Sequence, residues 1–590
     1  MDKLPIGIIK LLITYLDDRL DVASLAFVSK GLYRIKSISQ LNHLNNSTST
    51  SLSSSSSIAI TRSCVSVRSP SVYTREDGSI PNIPVLSRYG HQNHPIAPNS
   101  IPSTVTSLHF HDHWDQPIEP GVIPPFIRHL SFGNSYNKQL DVGVLPASLT
   151  TLAFGSSFNQ ELICNSLPQS LTSLTFGYFF NTSIKPDMLP GSLRTLVLGF
   201  HYASKIEPHS LPKSLTHLKF GSRFNQCLEP YVLPHGLTSL ELGHSYDRPI
   251  QPGVLPPTIT KVSFGFKFCQ TIYPDTLPSS MRDISFGFNF NRQLELGVLP
   301  ASLHSLNMGS YNHELAPGIL PDSVTKLIIG APFNHLIPIG SLPSSLKELY
   351  FGFAFNQPLS PGALPSSLST LKLGNNYNQW IPPGALPSSL TDLRFGNQFN
   401  QPLSIGVLPA SLARLEVGLF FHQKGSGAVL PASLNTISMH NFMLQRCLIE
   451  SATPSSITNV IINHNKKTKF IQKEGFLARL VQSFIGHRRL SSSVRSISFI
   501  FGHIQIDAIN EYIHSIQSHN DNGSGRLVSL HFKLKGKDKM SREFSSRVLG
   551  DNDYLYLIDG DVVHSRKLIN TITVSAIQSS IFMKTVVQTN

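Results

Sequence analysis

Apolar positions recur along this chain with a period of 22 residues. Leu-Pro or Ile-Pro begins at 101, 123, 145, 167, 189, 211, 233, 255, 277 and 299, then at 320, 342, 364, 386, 408 and 430. Of these sixteen starts, one step is 21 residues and the rest are 22. The consensus unit reads L-P-x-S-L-T-x-L-x-F-G-x-x-F-N-Q-x-L-x-P-G-x, and residues 364–385 are a good specimen. Positions 8 and 10 alternate as residues on one face of a short strand do. A single short strand cannot bury the apolar side of such a unit, whereas stacked coils bury a continuous core. The pattern therefore predicts a solenoid with one strand per coil, paired in parallel at ~4.8 Å per coil. The unit starting at Leu299 lacks one residue between Gly309 and Tyr311, and HQNHPIAP, ending at Pro98, matches the second half of a unit.

Other unit positions make their own demands. Pro at position 2 fixes a turn and has no place inside a central strand. Gly at position 11 recurs without a gap from Gly133 to Gly418, so that spot needs either a positive φ or a close approach of backbone. Position 14 is aromatic from Trp114 to Phe421. Position 15 is Asn in ten of fifteen units, among them Asn159, Asn225, Asn356 and Asn400. An inward Asn there can hydrogen-bond the backbone of adjacent coils, and a stack of them forms a ladder.

The unit resembles the FNIP repeat, named for its F-N-x-P signature; FNQPL stands at 355–359 and at 399–403. The resemblance covers residues 101 to about 440. It implies a relative of the leucine-rich repeats, a horseshoe or curved solenoid that binds other proteins, and it does not imply an enzyme activity. The chain departs from the signature at Ala203, Cys269 and His422, where looser corners are expected.

Beyond the regular array the same spacing returns at Ile457, Val460 and Ile462, at Val494, Ile497 and Phe499, at Leu527, Leu530 and Phe532, and at Ile569, Ile572 and Val574. The intervening residues include helix-like pieces at 475–485 and 506–517. The strand ladder is thus expected to continue with longer, helix-bearing units; an independent α/β cap is the alternative.

The first residues differ in character. Apolar residues from Leu4 to Leu16 follow a helical spacing, Asp17 and Asp18 break it, and Asp21 can cap a second helix carrying Val22, Leu25 and Val28. This arrangement is similar to an F-box. The resemblance implies that Leu4, Pro5, Ile8, Leu12, Leu16, Leu25 and Val28 dock a Skp-type adaptor, or support that contact, and so join a cullin ubiquitin ligase. The alternative is a helical cap on the first coil. Against it stands NNSTSTSLSSSSS at 45–57, which reads as a flexible linker and suits a separate module.

The fold class expected is α+β, mainly β. A helical module occupies 1–45, a Ser-rich linker 46–79, the 22-residue-unit solenoid 80–452, and the irregular continuation or cap 453–590.

Composition narrows the function. Charged residues make up only 14% of the 590, which argues against a coiled coil or a charge-rich disordered chain. The net charge of +13 divides into +4 for residues 1–100, +1 for 101–450 and +8 for 451–590. The solenoid is near neutral, so a nucleic-acid role is disfavoured. The basic cluster at Lys466, Lys467, Lys469, Lys473, Arg479, Arg488, Arg489 and Arg495 reads as a solvated face. Five scattered cysteines without a CxxC pair suggest neither a disulfide framework nor a zinc site. Lys10 interrupts the apolar start and no small-residue cleavage site follows, so no signal peptide is expected. With no membrane-length apolar run either, a cytoplasmic location is expected, the nucleus remaining open.

Candidate chemistry is sparse. His109, His111 and His113 alternate and would share one face of a strand, a poor template for tetrahedral zinc. Asp551, Asp553, Asp559 and Asp561 lack the spacing of an EF-hand. Neither a P-loop nor a G-x-S-x-G elbow occurs. No catalytic residue, metal, cofactor or small-molecule substrate is therefore expected, and the partners are proteins. Positions 7 and 9, on the outward face of the strand, carry Lys261, Asp283, Lys326, Glu348, Asp392, Arg394, Arg414 and Glu416. This mixed-charge strip, concentrated in the later units, is the candidate cargo surface.

Overall fold

The computed structural model describes residues 85–89, 93–97, 99–422, 430–440 and 456–464, and beyond these the strand backbones 496–501, 529–535, 541–550, 553–558 and 561–566. The F-box-like residues 4–28, the linker, the helix-like pieces, the basic cluster and the 569–574 rung lie outside the described residues.

Twenty-three described strands form one sheet. From β1 (Val85–Tyr89) and β2 (Ser107–Phe110) to β20 (Ser529–Lys535), each pairs in parallel with the next in chain order. In the regular coils the strand is only three residues long, unit positions 7 to 9, as in Thr151–Ala153 and Lys261–Ser263. The register is one-to-one, so Leu152, Leu174 and Leu196 stand side by side.

The longer units keep that register. β18 (Asn459–His464), β19 (Ser496–Phe501) and β20 align Val460 with Ile497 and Leu530, and Ile462 with Phe499 and Phe532. The parallel ladder ends at β20. β21 (Ser541–Gly550), β22 (Asp553–Ile558) and β23 (Asp561–Arg566) then pair antiparallel, a hairpin meander outside the repeat pattern. Asp559-Gly560 joins β22 to β23 and is a dipeptide that two-residue hairpin connections favour. Asp553 and Asp561 sit at strand ends, and Asp551 and Asp559 lie outside the described residues.

The interior of each coil is mainly apolar. In the unit from Leu145, the side chains of Leu145, Leu149, Leu152, Phe154, Phe158 and Leu162 are all buried. Rings at positions 10 and 14 stack within a coil, as Phe154 on Phe158 at 3.8 Å, and from coil to coil, as Phe158 on Phe180 at 6.2 Å. The consensus Ser and Thr bind coils together. Ser170 Oγ donates to the Leu149 carbonyl at 2.6 Å, and Thr172 Oγ1 donates to the Thr150 carbonyl at 3.1 Å, and later units repeat both bonds.

Coil-to-coil spacing widens away from the strands. Hydrogen-bonded strands lie ~4.8 Å apart. Equivalent position-10 rings are 5.4 Å apart at Phe132 and Phe154, and equivalent position-14 rings are 6.0 to 6.3 Å apart from Phe180 through Tyr202 to Phe224. Coils that fan out in this way curve the array, with the strands on its inner side. The short unit interrupts the ring stack, and Tyr311 there meets His313 edge-on.

The recurring glycine at position 11 answers to close approach; only Gly309, in the short unit, also has a positive φ, at 63°. A Cβ at Gly265 would land on the carbonyl oxygen of Gly243, and one at Gly287 on that of Gly265. Positive φ falls instead at position 21, where Gly253 has φ 82° and Asn165, Asp187 and Tyr231 take 63°, 64° and 67°.

Candidate functional site

The outward strand positions form a continuous surface, because a one-to-one register carries position 7 onto position 7 and position 9 onto position 9. All eight charged residues singled out from the sequence lie on it, and the structure divides them into two groups.

The first group is paired in place. Lys326 stands beside Glu348, with Nζ 3.0 Å from Oε2, and Tyr350 Oη donates to the same carboxylate oxygen at 3.0 Å. The Lys326 ammonium also lies 5.5 Å from the centre of the Tyr350 ring. The Lys326 ammonium bond, aided by the Tyr350 hydroxyl against a partial burial cost, holds the Glu348 carboxyl below the usual range. Lys326 is held above its own range, chiefly by the bond to Glu348. Arg394 grips Asp392 within one strand through Nε and Nη2, at 3.0 and 2.8 Å. Glu416 faces His440 Nε2 at 3.7 Å.

The second group comprises Lys261, Asp283 and Arg414. Each is exposed, and among the described residues none makes an ion pair. With Lys372, exposed at position 9 of the strand Thr370–Lys372 and also without an ion pair among the described residues, they are the charges of the strip left open to a partner. Charge is also not confined to the later coils, since Lys219 and Glu241 pair at 2.7 Å on the same face. Exposed pairs of this kind add at most ~1 kcal/mol, so they tune the surface more than they hold the fold.

The three alternating histidines separate. His109 lies on β2, half-buried, with Nε2 3.2 Å from Ser107 Oγ. Burial, and secondarily His129, lowers its pKa. His111 and His113 fall in the turn beyond, where the His113 amide donates to His111 Nδ1 at 3.3 Å. The shared strand face expected of them ends at Phe110. Among the described residues no group of three His, Cys, Asp or Glu is placed to hold a metal, and no helix is long and apolar enough to cross a membrane. Cys164, Cys227 and Cys269 are free thiols.

Two features were not anticipated. Unit position 12, at the turn just past the strand, exposes Tyr178, Phe200, Phe266, Phe288 and Phe353. Their signal is a variable position that is aromatic only in certain coils, which a consensus hides. The Asn ladder also lies at a part-exposed corner rather than inside. There Asn159 Nδ2 is left free to face outward while its Oδ1 accepts from the Asn181 amide at 2.8 Å.

The FNIP Repeat family model matches eight consecutive segments, from 93–135 to 399–442. Among solved structures the chain is similar to CroV588, described as a novel circular leucine-rich-repeat protein. Identity is 37% over 70% of this chain, with a TM-score of 0.60. The chain spans 58% of that protein's length. The Toll–Spatzle complex of Drosophila is a more distant similarity, at 14% identity over 67% of this chain and 47% of that one, with a TM-score of 0.31. No curated protein matches the chain.

Proposed function

The chain belongs to the FNIP-repeat family, and on that premise we propose that it is a non-enzymatic adaptor that holds protein partners on the strand face of its solenoid. The carrying observation is the outward strip of Lys261, Asp283 and Arg414, exposed charges with no ion pair among the described residues on a rigid, hydrogen-bonded face. Repeat solenoids present such extended surfaces to proteins. The fanning of the coils supports a curved array with that face on its inner side, and the circular form of CroV588 supports the curvature.

The finer reading adds a ubiquitin-ligase role in the cytoplasm. Leu4, Pro5, Ile8, Leu12, Leu16, Leu25 and Val28 dock a Skp-type adaptor of a cullin complex, and the solenoid presents the cargo. The F-box-like spacing and the Ser-rich stretch that follows support this reading. Titrating a purified Skp-type adaptor into the full chain by calorimetry tests it. A stoichiometric complex that Leu12→Lys abolishes is expected. No heat of binding, or binding indifferent to Leu12→Lys, leaves a plain protein-binding scaffold.

A further inference from the structure

The turn after the strand carries a second surface, distinct from the strand face. At unit position 12, Tyr178 stacks on Phe200 at 4.6 Å, His244 on Phe266 at 4.7 Å, and Phe266 on Phe288 at 4.9 Å. The exposed rings keep 39 to 55% of their surface open. Position 13 beside them holds Phe179, His201, Arg223, Ser245, Lys267 and Asn289. Across positions 12 and 13 from Tyr178 to Asn289 there are two fixed positive charges and two histidines, and no carboxylate. The strand face, by contrast, mixes both signs.

The strip is rigid. Each position-13 amide donates to the position-12 carbonyl of the preceding coil, as His201 to Tyr178 at 2.9 Å, Lys267 to His244 at 2.9 Å and Asn289 to Phe266 at 2.8 Å. These backbone groups are thus spent, and a partner is read by side chains rather than by strand addition. The rings stack face to face along the array, so they present their edges outward. Ring edges carry the positive side of the aromatic quadrupole. Edges, guanidinium and ammonium together favour carboxylates, and the apolar ring surface favours aliphatic side chains between them.

We infer that this rim is a docking site for an acidic segment of another protein, one whose carboxylates alternate with apolar side chains. Aromatic and basic residues together also suggest single-stranded nucleic acid, which binds by stacking bases on open ring faces. Here the faces between stacked rings are already occupied. Seating a base between two rings needs about 7 Å, twice the ~3.4 Å stacking rise, and the rings are 4.6 to 4.9 Å apart.

The test uses the full chain and fluorescence anisotropy. The probe is a fluorescein-labelled peptide of repeating Glu-Glu-Leu; the controls are its Gln-Gln-Leu counterpart and a labelled oligothymidine. Saturable binding of the acidic peptide is expected, at least roughly tenfold tighter than either control. The double variant Phe266→Ser with Phe288→Ser weakens it by roughly tenfold or more, and Arg223→Glu with Lys267→Glu does the same. The array itself uses Ser at this position, at Ser156 and Ser222, so the first variant keeps the fold, and its circular dichroism melt verifies this. Lys261→Glu on the strand face leaves this affinity unchanged, which separates the rim from the proposed cargo strip. Absence of saturable binding, equal affinity of the variants, or tighter binding of oligothymidine overturns the inference.

Discussion

The backbone amide of Asn400 donates to the side-chain oxygen of Asn378, one coil back, at 2.9 Å. The same bond joins Asn378 to Asn356, Asn181 to Asn159 and His422 to Asn400. Each rung needs a side-chain acceptor only in the earlier coil. Loss of the signature at Ala203 therefore removes not the bond that the Ala203 amide donates to Asn181 Oδ1, which is present at 2.8 Å, but the one that the Asn225 amide would donate to a side chain at 203. Ala203→Asn is expected to raise the urea midpoint, by about 0.5–1.5 kcal/mol of stability, and Asn378→Ala to lower it by about 1–2 kcal/mol. Equal midpoints for both would show that the ladder contributes nothing.

The two glycine positions respond differently to a methyl group. At position 11 the new Cβ of Gly265→Ala meets backbone of the previous coil, and neither side can move without opening the ladder. A loss of at least about 2–3 kcal/mol is expected. At position 21, Gly253→Ala meets nothing within 4 Å and costs only the left-handed backbone, about 1 kcal/mol. Gly253→Asn costs less still, since Asn165 already adopts φ 63° there. Denaturant melts of the three variants give this ranking or refute it.

Buried phenols offer a third test. The hydroxyls of Tyr136, Tyr246 and Tyr377 have no protein partner, and burial pushes their pKa values well above the usual phenol range. Phe224 and Phe268 fill the equivalent place in the coils on either side of Tyr246. Tyr246→Phe should leave stability unchanged or raise it by up to about 1 kcal/mol. A clear loss would mean that the hydroxyl is held by an interaction the packing does not show.

The strand-face cluster gives a pH signature. The folded pKa of Glu348 is depressed, so its contribution to stability is present above the unfolded glutamate value and fades as pH falls through the lower, folded value. A carboxyl-detected NMR titration should place the Glu348 midpoint below the ordinary glutamate range. In Lys326→Gln the midpoint should move up toward that range, because the first cause of the depression is gone. The ion pair is half-exposed, so added salt should shrink the difference.

Much of the fold was legible in the sequence because each coil repeats the same constraints. The Leu at position 8 and the rings at positions 10 and 14 set the period, and the parallel pairing followed from it. Even the longer units at Val460, Ile497 and Leu530 kept the register that their spacing announced. The two offered causes for the position-11 glycine could not be separated from sequence, because a positive φ and a close approach between coils leave the same residue behind. The meander after β20 was hidden because its strands answer to hairpin turns rather than to the repeat. At the candidate site, placement on the strand face was legible and pairing was not: Arg394 turned to Asp392 on its own strand, while Lys326 crossed to Glu348 on the next. The aromatic rim was missed because averaging over units erases a position that matters only in some coils.

In the proposed function the solenoid holds proteins by its strand face. The direct measurement is quantitative mass spectrometry of proteins cross-linked to the full chain, compared with the triple variant Lys261→Glu, Asp283→Lys, Arg414→Glu. These three strip residues make no ion pair among the described residues, so the fold should survive the change, as a matching melt would show. The account predicts a defined set of partners on the unaltered chain that the variant loses. The same partners in the same amounts on both proteins would contradict it.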